Sequence, residues 1–377
     1  DRLVKVVETE GPLHAIRNGF KATGAGAGGF DLVQFAPAHG FNADIKAKYD
    51  KVRLRVMRQV HYSQNNRNSI DLVLFLNGLP VATIELKTDF TQGIDDAKNQ
   101  YKTDRNPKDQ TTQKIEPLLK FKRGALVHFA VSTSEVWMTT KLDGMDTFFL
   151  PFNKGFNGGK GNPPNANGYQ TAYLWEEVFQ KDMWLKILEK FIQLEVKETT
   201  DRLGNKKQKE TLIFPRYHQL DAVNKLIDAV KREGAGKNYL FQHSAGSGKS
   251  NTIGWCAHQL ATLHTEDDKK VFDTIIVITD RTVLDEQLKD TIGQFASTKG
   301  VVVSIDRERG TKSGQLAEAL KKSAMIVVST LQTFPFILKE IRESSPLTNK
   351  RFAVIADEAH SSQSGASAIK LRKALSS

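Results

Sequence analysis

Cysteine is nearly absent from this chain of 377 residues, and its one copy, Cys256, lies in an apolar segment with helical spacing. A single cysteine excludes a disulfide framework and a zinc site built from thiolates, so Cys256 is expected to be a core residue in a reducing cytoplasm. Long apolar runs are also missing, which excludes a transmembrane segment. The first ten residues have neither an initiator methionine nor the apolar centre of a signal peptide, and this predicts that the chain begins within a longer protein.

Acidic residues are outnumbered by basic ones, 43 against 54, which gives a formal net charge of +11. A basic excess favours nucleic acid or another polyanion as a partner. Six basic residues against one acid fall between Lys46 and Arg58, and over residues 51–56 they alternate with apolar residues. The alternation predicts a strand with a cationic and an apolar face. A solvated sheet edge and a phosphate-contacting surface both fit this pattern.

The length and the composition along the chain predict more than one domain, because single cores stop growing at about 250–300 residues. Residues 150–164 are rich in glycine, proline and asparagine, which indicates a flexible connector, and the apolar spacing over 174–192 predicts amphipathic helices. Residues 197–210 are polar and charged. We therefore predict a domain over 1–150, a loop and helical connector over 151–205, and a second domain over 206–377.

Residues 71–87, "DLVLFLNGLPVATIELK", predict two apolar strands joined by an Asn-Gly turn. Glu85 and Lys87 are two residues apart, so they point to the same face, and the hairpin returns them beside Asp71. Two carboxylates and a lysine at one end of a sheet suit a divalent metal and a phosphodiester under attack. A strand edge that carries solvated charges would give the same pattern.

Residues 238–250, "NYLFQHSAGSGKS", predict a short apolar strand, a glycine-containing loop and the start of a helix. Glycines let backbone N–H groups wrap phosphates, Lys249 can reach the terminal phosphates, and the Ser250 hydroxyl can ligate magnesium. This pattern is that of a P-loop, and it predicts ATP and Mg²⁺ as cofactors.

A second acidic motif follows at residues 352–360, "FAVIADEAH", where an apolar strand ends in two acids. Asp357 is placed to hold the magnesium shell and Glu358 to polarise the attacking water. Residues 272–287 and 324–334 each predict a further buried strand that runs into a polar loop. Strands that alternate with helices predict a doubly wound parallel sheet, with ligands at the carboxyl ends of its strands.

The hairpin resembles the PD-(D/E)xK nuclease family, with Asp71 and Glu85-Leu86-Lys87 as its signature, although the family's proline before the first acid is absent. The resemblance implies that Asp71 and Glu85 hold Mg²⁺ and that Lys87 assists catalysis. Gln100 falls where the related nucleases of type I restriction subunits place a catalytic glutamine. Asp104 stands where those nucleases have a tyrosine, so this second motif is half matched.

The second domain resembles the first motor lobe of superfamily 2 translocases, with His243 in place of the first glycine of the strict P-loop pattern. In that resemblance the DEAH box contributes Asp357, His360 and the water-activating Glu358, and Ser250 and Asp357 ligate the metal. DNA contacts are implied for Asp280, Arg281, Ser329, Thr330 and Gln332, with helix capping as the alternative for Arg281 and Thr330. The nucleotide contacts that it implies are Arg216, Gln219, Ala245, Gly246, Ser247, Gly248, Lys249, Ser250, Asp357 and His360.

Together the two halves resemble HsdR, the family of restriction and motor subunits of type I restriction-modification enzymes, over essentially the whole chain. The expected fold is α/β: a PD-(D/E)xK nuclease-like mixed αβ domain followed by a RecA-like doubly wound parallel-sheet lobe. The expected function is ATP-driven translocation and cleavage of unmodified foreign double-stranded DNA, with modification (methyltransferase) and specificity subunits as partners, in the cytoplasm and without a membrane. A second motor lobe is not found in these residues, so the isolated chain is not expected to translocate.

Two other functions fit the same residues. One is a self-sufficient nuclease-helicase of DNA repair or defence that needs no methyltransferase partner. The other is a DNA-bound ATPase scaffold whose nuclease fold is inert.

Overall fold

The chain folds into two compact units, residues 1–218 and 219–377. The domain boundaries predicted at 150 and 205 both fall inside the first unit, and the three-part division stays a prediction. Within the described ranges, no helix is both long and apolar enough to cross a membrane. The computed structural model describes residues 2–21, 28–37, 42–200, 204–279, 288, 290–293, 302–304, 315, 319, 324–330 and 350–357.

The first unit contains a six-stranded mixed sheet with the strand order β3-β4-β5-β6-β7-β8. The β5 and β6 strands are parallel, and the other neighbours are antiparallel. Two small antiparallel pairs, β1-β2 and β9-β10, accompany the sheet. The strands are β1 Phe20–Lys21, β2 Gly29–Phe30, β3 Leu54–His61, β4 Ser69–Leu76, β5 Leu79–Leu86, β6 Val127–Val131, β7 Val136–Thr139, β8 Leu150–Pro151, β9 Gln193–Thr200 and β10 Lys206–Ile213.

The predicted hairpin is confirmed as β4 and β5. Its turn has Asn77 at φ 46° and Gly78 at φ 90°, the left-handed conformation that two-residue hairpin turns require. The Asn77 side chain connects the turn to the start of the neighbouring strand β3, because its Oδ1 accepts the backbone N–H of Arg53, the residue before β3, at 2.8 Å. From Val81 to Glu85 every residue of β5 is buried, so β5 is a central strand with both faces covered.

The segment between β5 and β6 crosses one face of the sheet through α4, whose inward residues are Ala97 and Tyr101. Beneath this helix, Thr83 Oγ1 lies 2.8 Å from Tyr101 Oη and 2.7 Å from His128 Nδ1. All three side chains are buried, and burial lowers the pKa of His128 to about 3. The helices of this unit are α1 Arg2–Thr9, α2 Pro12–Asn18, α3 Ala43–Asp50, α4 Ile94–Thr103 and α5 Lys181–Lys190, with a π-helical turn over Leu174–Val178.

The cationic strand predicted from residues 51–56 is partly wrong. Residues 54–56 do open strand β3, but Val56 is 57% exposed and its neighbour Met57 is 54% exposed. Neighbouring side chains point to opposite faces of a strand, so neither face of β3 is covered at this point. The reason is that β3 is an edge strand, which pairs with β4 alone within the described sheet.

The amphipathic segment predicted over 174–192 is confirmed. Its apolar residues pack inward along the π-helical turn and α5, and the following polar residues form the β9-β10 hairpin. The apolar positions named by the spacing are all buried: Leu174, Val178, Leu185, Leu188, Phe191 and Ile192.

The second unit contains a parallel sheet with the order β12-β13-β11-β14, and α7 lies against β11, β13 and β14. The strands predicted within 272–287, 324–334 and 352–360 are confirmed, and Cys256 is buried in α7 as expected. The elements described here are α6 Tyr217–Glu233, α7 Lys249–Ala261, β11 Thr274–Thr279, β12 Val302–Ser304, β13 Ile326–Thr330 and β14 Phe352–Ala356.

The strand predicted before the P-loop is wrong. Residues 238–244 have no regular secondary structure, and Leu240 is 83% exposed. An apolar run forms a strand only where a neighbouring strand accepts its hydrogen bonds, and no described strand pairs with this segment.

His128 makes the stability of the chain depend on pH. Its pKa is depressed in the folded state, so the unfolded chain takes up a proton below pH 6.5 that the folded chain takes up only near pH 3. Wild type should therefore lose stability relative to His128→Gln as the pH falls. We expect the unfolding free energy of wild type minus that of His128→Gln to decrease by about 1.4 kcal/mol per pH unit below the unfolded pKa. Urea unfolding at several pH values measures this. The exposed His61 is the control: if His61→Gln gives the same pH-dependent difference, the assignment to His128 fails.

Candidate functional site

Asp71 lies on β4 at the end of the sheet that the hairpin brings together. Its Oδ2 accepts the backbone N–H of Leu86 at 2.9 Å, so Asp71 is held against the segment that carries Glu85 and Lys87. Its Oδ1 accepts a hydrogen bond from Gln59 Nε2, also at 2.9 Å. The predicted return of the second strand beside Asp71 is confirmed.

Glu85 is fully buried near the end of β5, and a buried arginine pairs with it. Arg105 Nε donates to Glu85 Oε1 at 2.7 Å, and the Arg105 side chain is 8% exposed. Burial raises the pKa of the Glu85 carboxyl to about 8; the charge and hydrogen bond of Arg105 oppose the shift, and the nearby Asp71 adds to it. The site therefore places two carboxylates close together, and the desolvation of one of them, Glu85, is energetically unfavourable for its charged form.

Lys87 and Gln100 complete the predicted set. Lys87 follows β5, is half-buried, and donates its backbone N–H to Val131 O at 2.9 Å. Gln100 lies on α4, and its buried Oε1 has no hydrogen-bond partner among the described residues. Tyr101, next to it, is buried in the core, where its hydroxyl lies 2.8 Å from Thr83 Oγ1.

The donor set fits a magnesium ion. Glu85 Oε2 is buried and, like Gln100 Oε1, has no hydrogen-bond partner within the described ranges. Carboxylate and amide oxygens are the ligands that Mg²⁺ accepts, usually with one or two carboxylates and the rest water or phosphate. A group of three or more His, Cys, Asp or Glu side chains around one point is not found in the described part of the chain. The residues present are thus compatible with a two-carboxylate site.

The loop of residues 245–248 leads into α7 in the second unit. Gly248 is the N-cap of this 13-residue helix at φ 84°, and Gly246 has φ 71°. Both conformations are left-handed, which glycine adopts without steric cost. Ala245, Gly246, Gly248 and Ser250 are exposed, and Lys249 is half-buried. Backbone N–H groups and a helix N-terminus suit a phosphate group.

Gln219 braces this loop from α6. Its Nε2 donates to Gly248 O at 2.9 Å and to Ser247 O at 3.3 Å, and both Gln219 and Ser247 are buried. The predicted contact of Gln219 with the nucleotide stays a prediction; the contacts that the structure shows for its amide nitrogen are those with the loop.

Asp357 follows β14 at the carboxyl end of the parallel sheet. It is half-buried, and its backbone N–H donates to Ile278 O at 2.9 Å, which keeps it beside the end of β11. Arg216 is half-buried in the first unit, just before α6. Ser329 and Thr330 are buried at the end of β13. The other predicted positions, Glu358, His360, Asp280, Arg281 and Gln332, lie outside the described residues.

Known protein families match both units. Residues 42–147 match the family described as the type I restriction enzyme R protein N terminus (HSDR_N). Residues 218–377 match the family described as the SWI2/SNF2 ATPase. The chain is an HsdR-like protein.

Curated relatives carry corresponding names. The HsdR-like chain is 27% identical over 308 residues to the HindI type I restriction enzyme endonuclease subunit of Haemophilus influenzae, covering 78% of this chain and 26% of that protein. It is 27% identical over 332 residues to MjaIXP of Methanocaldococcus jannaschii, provisionally named a type I restriction enzyme endonuclease subunit, covering 84% of this chain and 29% of that protein. The chain therefore spans less than a third of these relatives' length.

Two residues at the nuclease-like site of the HsdR-like chain were missed by the sequence analysis. Arg105 follows Gln100 by five residues, and its pairing with Glu85 depends on the path of the chain after α4. Gln59 lies on β3 directly before Val60, and nothing in the sequence indicates its contact with Asp71. For Gln59, the one indication in the sequence was its position just after the residues 51–56 that predicted a cationic strand.

The two loop glycines should respond differently to alanine. A Cβ on Gly248 would lie 2.5 Å from Gln219 Nε2, whereas a Cβ on Gly246 would meet nothing within 4 Å. Gly246→Ala should therefore cost only the backbone strain, about 1–2 kcal/mol. Gly248→Ala should in addition push the Gln219 amide away from Gly248 O, and the loss of that hydrogen bond, about 0.5–1.5 kcal/mol, should weaken ATP binding by a further factor of about 2–10.

Binding of a fluorescent ATP analogue and thermal unfolding would measure both effects. The double variant Gly248→Ala with Gln219→Ala should lose less than the sum of the two single variants, because the hydrogen bond of Gln219 to Gly248 O is already lost in Gly248→Ala. Equal affinities for the two single variants would contradict this description of the loop.

Proposed function

We propose that this chain is the nuclease domain and first motor lobe of a type I restriction subunit, which hydrolyses ATP and cuts unmodified double-stranded DNA. The observation that carries the proposal is the meeting of Asp71, Glu85 and the Leu86–Lys87 segment at one end of a sheet, in a chain that also contains the glycine loop before α7. The relatives that align with 78–84% of this chain, and so with parts of both units, are named as type I restriction enzyme endonuclease subunits, one of them provisionally.

In the proposed reaction the nuclease unit, with the PD-(D/E)xK fold, binds one DNA strand at the end of β4 and β5. Asp71 and Glu85 would hold Mg²⁺, with Gln100 as a further oxygen donor. The ion, when bound, supplies Lewis-acid stabilisation of the charge on the scissile phosphate. Lys87 makes no hydrogen bond or ion pair through its side chain among the described residues, so its ammonium is available for the same phosphate or for orienting water.

In the second unit, with the RecA-like fold, the loop binds ATP. Backbone N–H groups of Gly246 and Gly248 would contact phosphate oxygens, and Lys249 would neutralise the terminal phosphates. Ser250 and Asp357 would ligate the accompanying Mg²⁺. Glu358 is proposed to orient the attacking water and His360 to contact the nucleotide, with Ala245, Ser247, Gln219 and Arg216 as the remaining nucleotide contacts.

Binding to DNA is proposed to depend mainly on phosphate contacts. Arg55 and Arg58 are exposed on β3, the edge strand next to β4, and exposed guanidinium groups suit phosphate oxygens. Recognition of a target sequence and its methylation would then belong to separate specificity and modification subunits.

An inert nuclease fold attached to an ATPase is the second candidate. The observation that favours it is the ion pair between Arg105 and Glu85, which already occupies one oxygen of the proposed metal ligand. The two candidates differ in one measurable property, because only the first requires Asp71 for cleavage.

Substitution of Asp71 separates these two candidates. In the full-length protein with its partner subunits, Asp71→Asn should reduce double-strand cleavage by a factor of about 100 or more while ATP hydrolysis continues, because a metal ligand is lost and the motor is untouched. Plasmid linearisation and phosphate release measure the two activities. Asp146→Asn, an exposed carboxylate of the same unit, is the control. Cleavage at the wild-type rate by Asp71→Asn would rule out the nuclease assignment.

The motor assignment has its own variant. Lys249→Ala should abolish ATP hydrolysis and, with it, ATP-dependent cleavage, because the charge on the terminal phosphates is no longer neutralised. Thermal unfolding should show the first unit unchanged, and Lys237→Ala, an exposed lysine ahead of the loop, should hydrolyse ATP normally. ATP hydrolysis at the normal rate by Lys249→Ala would contradict the P-loop assignment.

A further inference from the structure

Gln59 has a backbone conformation that is unusual for its place in the fold. It lies inside β3 at φ 47°, a left-handed value that non-glycine residues rarely adopt and that costs free energy within a strand. The pairing of β3 with β4 passes from Arg58↔Leu72 to Val60↔Ile70, and the position opposite Gln59 is Asp71. The ladder is therefore interrupted at the one pair that contains the proposed metal ligand.

The side chain of Gln59 is held at both ends of its amide. Its Oε1 accepts the Ser69 hydroxyl at 3.1 Å, and its Nε2 donates to Asp71 Oδ1 at 2.9 Å. The orientation of the amide follows from its partners, since Asp71, as a carboxylate, can only accept. Asp71 Oδ2 accepts Leu86 N–H from β5, so the carboxylate receives one donor from each neighbouring strand.

The contact between Gln59 and Asp71 also lies at an open surface. Both residues line a cavity of about 520 Å³, together with Arg58, Leu72 and Leu86. One donor on each oxygen fixes the plane of the carboxylate and leaves each oxygen a second lone pair. Side chains that orient metal ligands in this way commonly change metal affinity or activity about 10–100-fold when they are replaced.

We propose that Gln59 is a positioning residue for Asp71. Its strained backbone replaces a ladder hydrogen bond with an amide that orients the Asp71 carboxylate for the divalent cation proposed at Asp71 and Glu85. The inference rests on the proposed nuclease function, and it adds a residue that neither the PD-(D/E)xK signature nor the P-loop motifs contain.

A second glutamine offers a matched control. Gln113 also has a left-handed backbone, at φ 58°, is exposed, and donates its Nε2 to Gln110 O at 2.9 Å. Glycine fits both positions without strain, so Gln59→Gly and Gln113→Gly make the same chemical change. Only the first removes a donor from Asp71. Gln59→Asn is the conservative variant, because asparagine tolerates a left-handed backbone and retains an amide.

The test is binding of Mn²⁺ alone to the full-length protein without nucleotide, measured by electron paramagnetic resonance. The site in question is the one that Asp71→Asn removes. Gln59→Gly should weaken that site by about tenfold or more, Gln59→Asn should weaken it less, and Gln113→Gly should leave it unchanged. Cleavage by the assembled enzyme should then require a correspondingly higher Mg²⁺ concentration, whereas ATP hydrolysis should keep its Mg²⁺ dependence.

The outcomes separate the inference from the function on which it rests. If Asp71→Asn changes neither Mn²⁺ binding nor cleavage, the proposed nuclease site itself fails. If Asp71→Asn removes the site but Gln59→Gly binds Mn²⁺ as tightly as wild type, or more tightly, the positioning role is overturned and the nuclease site stands. An equal loss in Gln113→Gly would also overturn it, because the effect would then come from the backbone exchange.

Discussion

The register of the β4-β5 hairpin is the constraint on which the nuclease-like site depends. Leu72 pairs with Ile84, and this alignment sets Asp71 against the end of β5, where it accepts the N–H of Leu86. Side chains alternate along a strand, so a slip by one residue would turn Asp71 to the opposite face. The left-handed Asn77–Gly78 turn and the buried central strand β5 hold the alignment.

Desolvation of Glu85 is the energetic cost of placing a carboxylate on a buried central strand. Arg105 offsets part of that cost through a short ion pair, and the pKa of Glu85 nevertheless stays high. The same burial leaves one carboxylate oxygen without a hydrogen bond from any described residue, and a bound cation would satisfy it. In the second unit, the described loop of residues 245–248 has no buried charge of this kind, and left-handed glycines and a helix N-terminus form the surface that is proposed to bind phosphate.

Features that arise from local patterns could be predicted from the sequence. Two apolar runs and an Asn-Gly turn identified the hairpin, and apolar runs identified β11, β13 and β14. Prediction failed where the answer depends on neighbours in space: Leu240 is exposed because no described strand pairs with its segment, and Val56 is exposed because β3 is an edge. Gln59 and Arg105 could not be assigned, since one depends on a backbone angle and the other on a contact across 20 residues. The roles of the predicted site residues stay predictions.

The arginines on the exposed edge strand β3 have a second effect besides attracting DNA. An edge strand presents unpaired backbone groups to which a strand from another molecule can add, and charged side chains discourage that addition. Arg55 and Arg58 stand on this strand beside the exposed Val56 and Met57. The charges proposed to attract DNA thus also keep copies of the protein apart. If neutralising one of these arginines weakens DNA binding, the cause is either the loss of a phosphate contact or the association of protein copies through the β3 edge. The association state of the variant distinguishes the two causes.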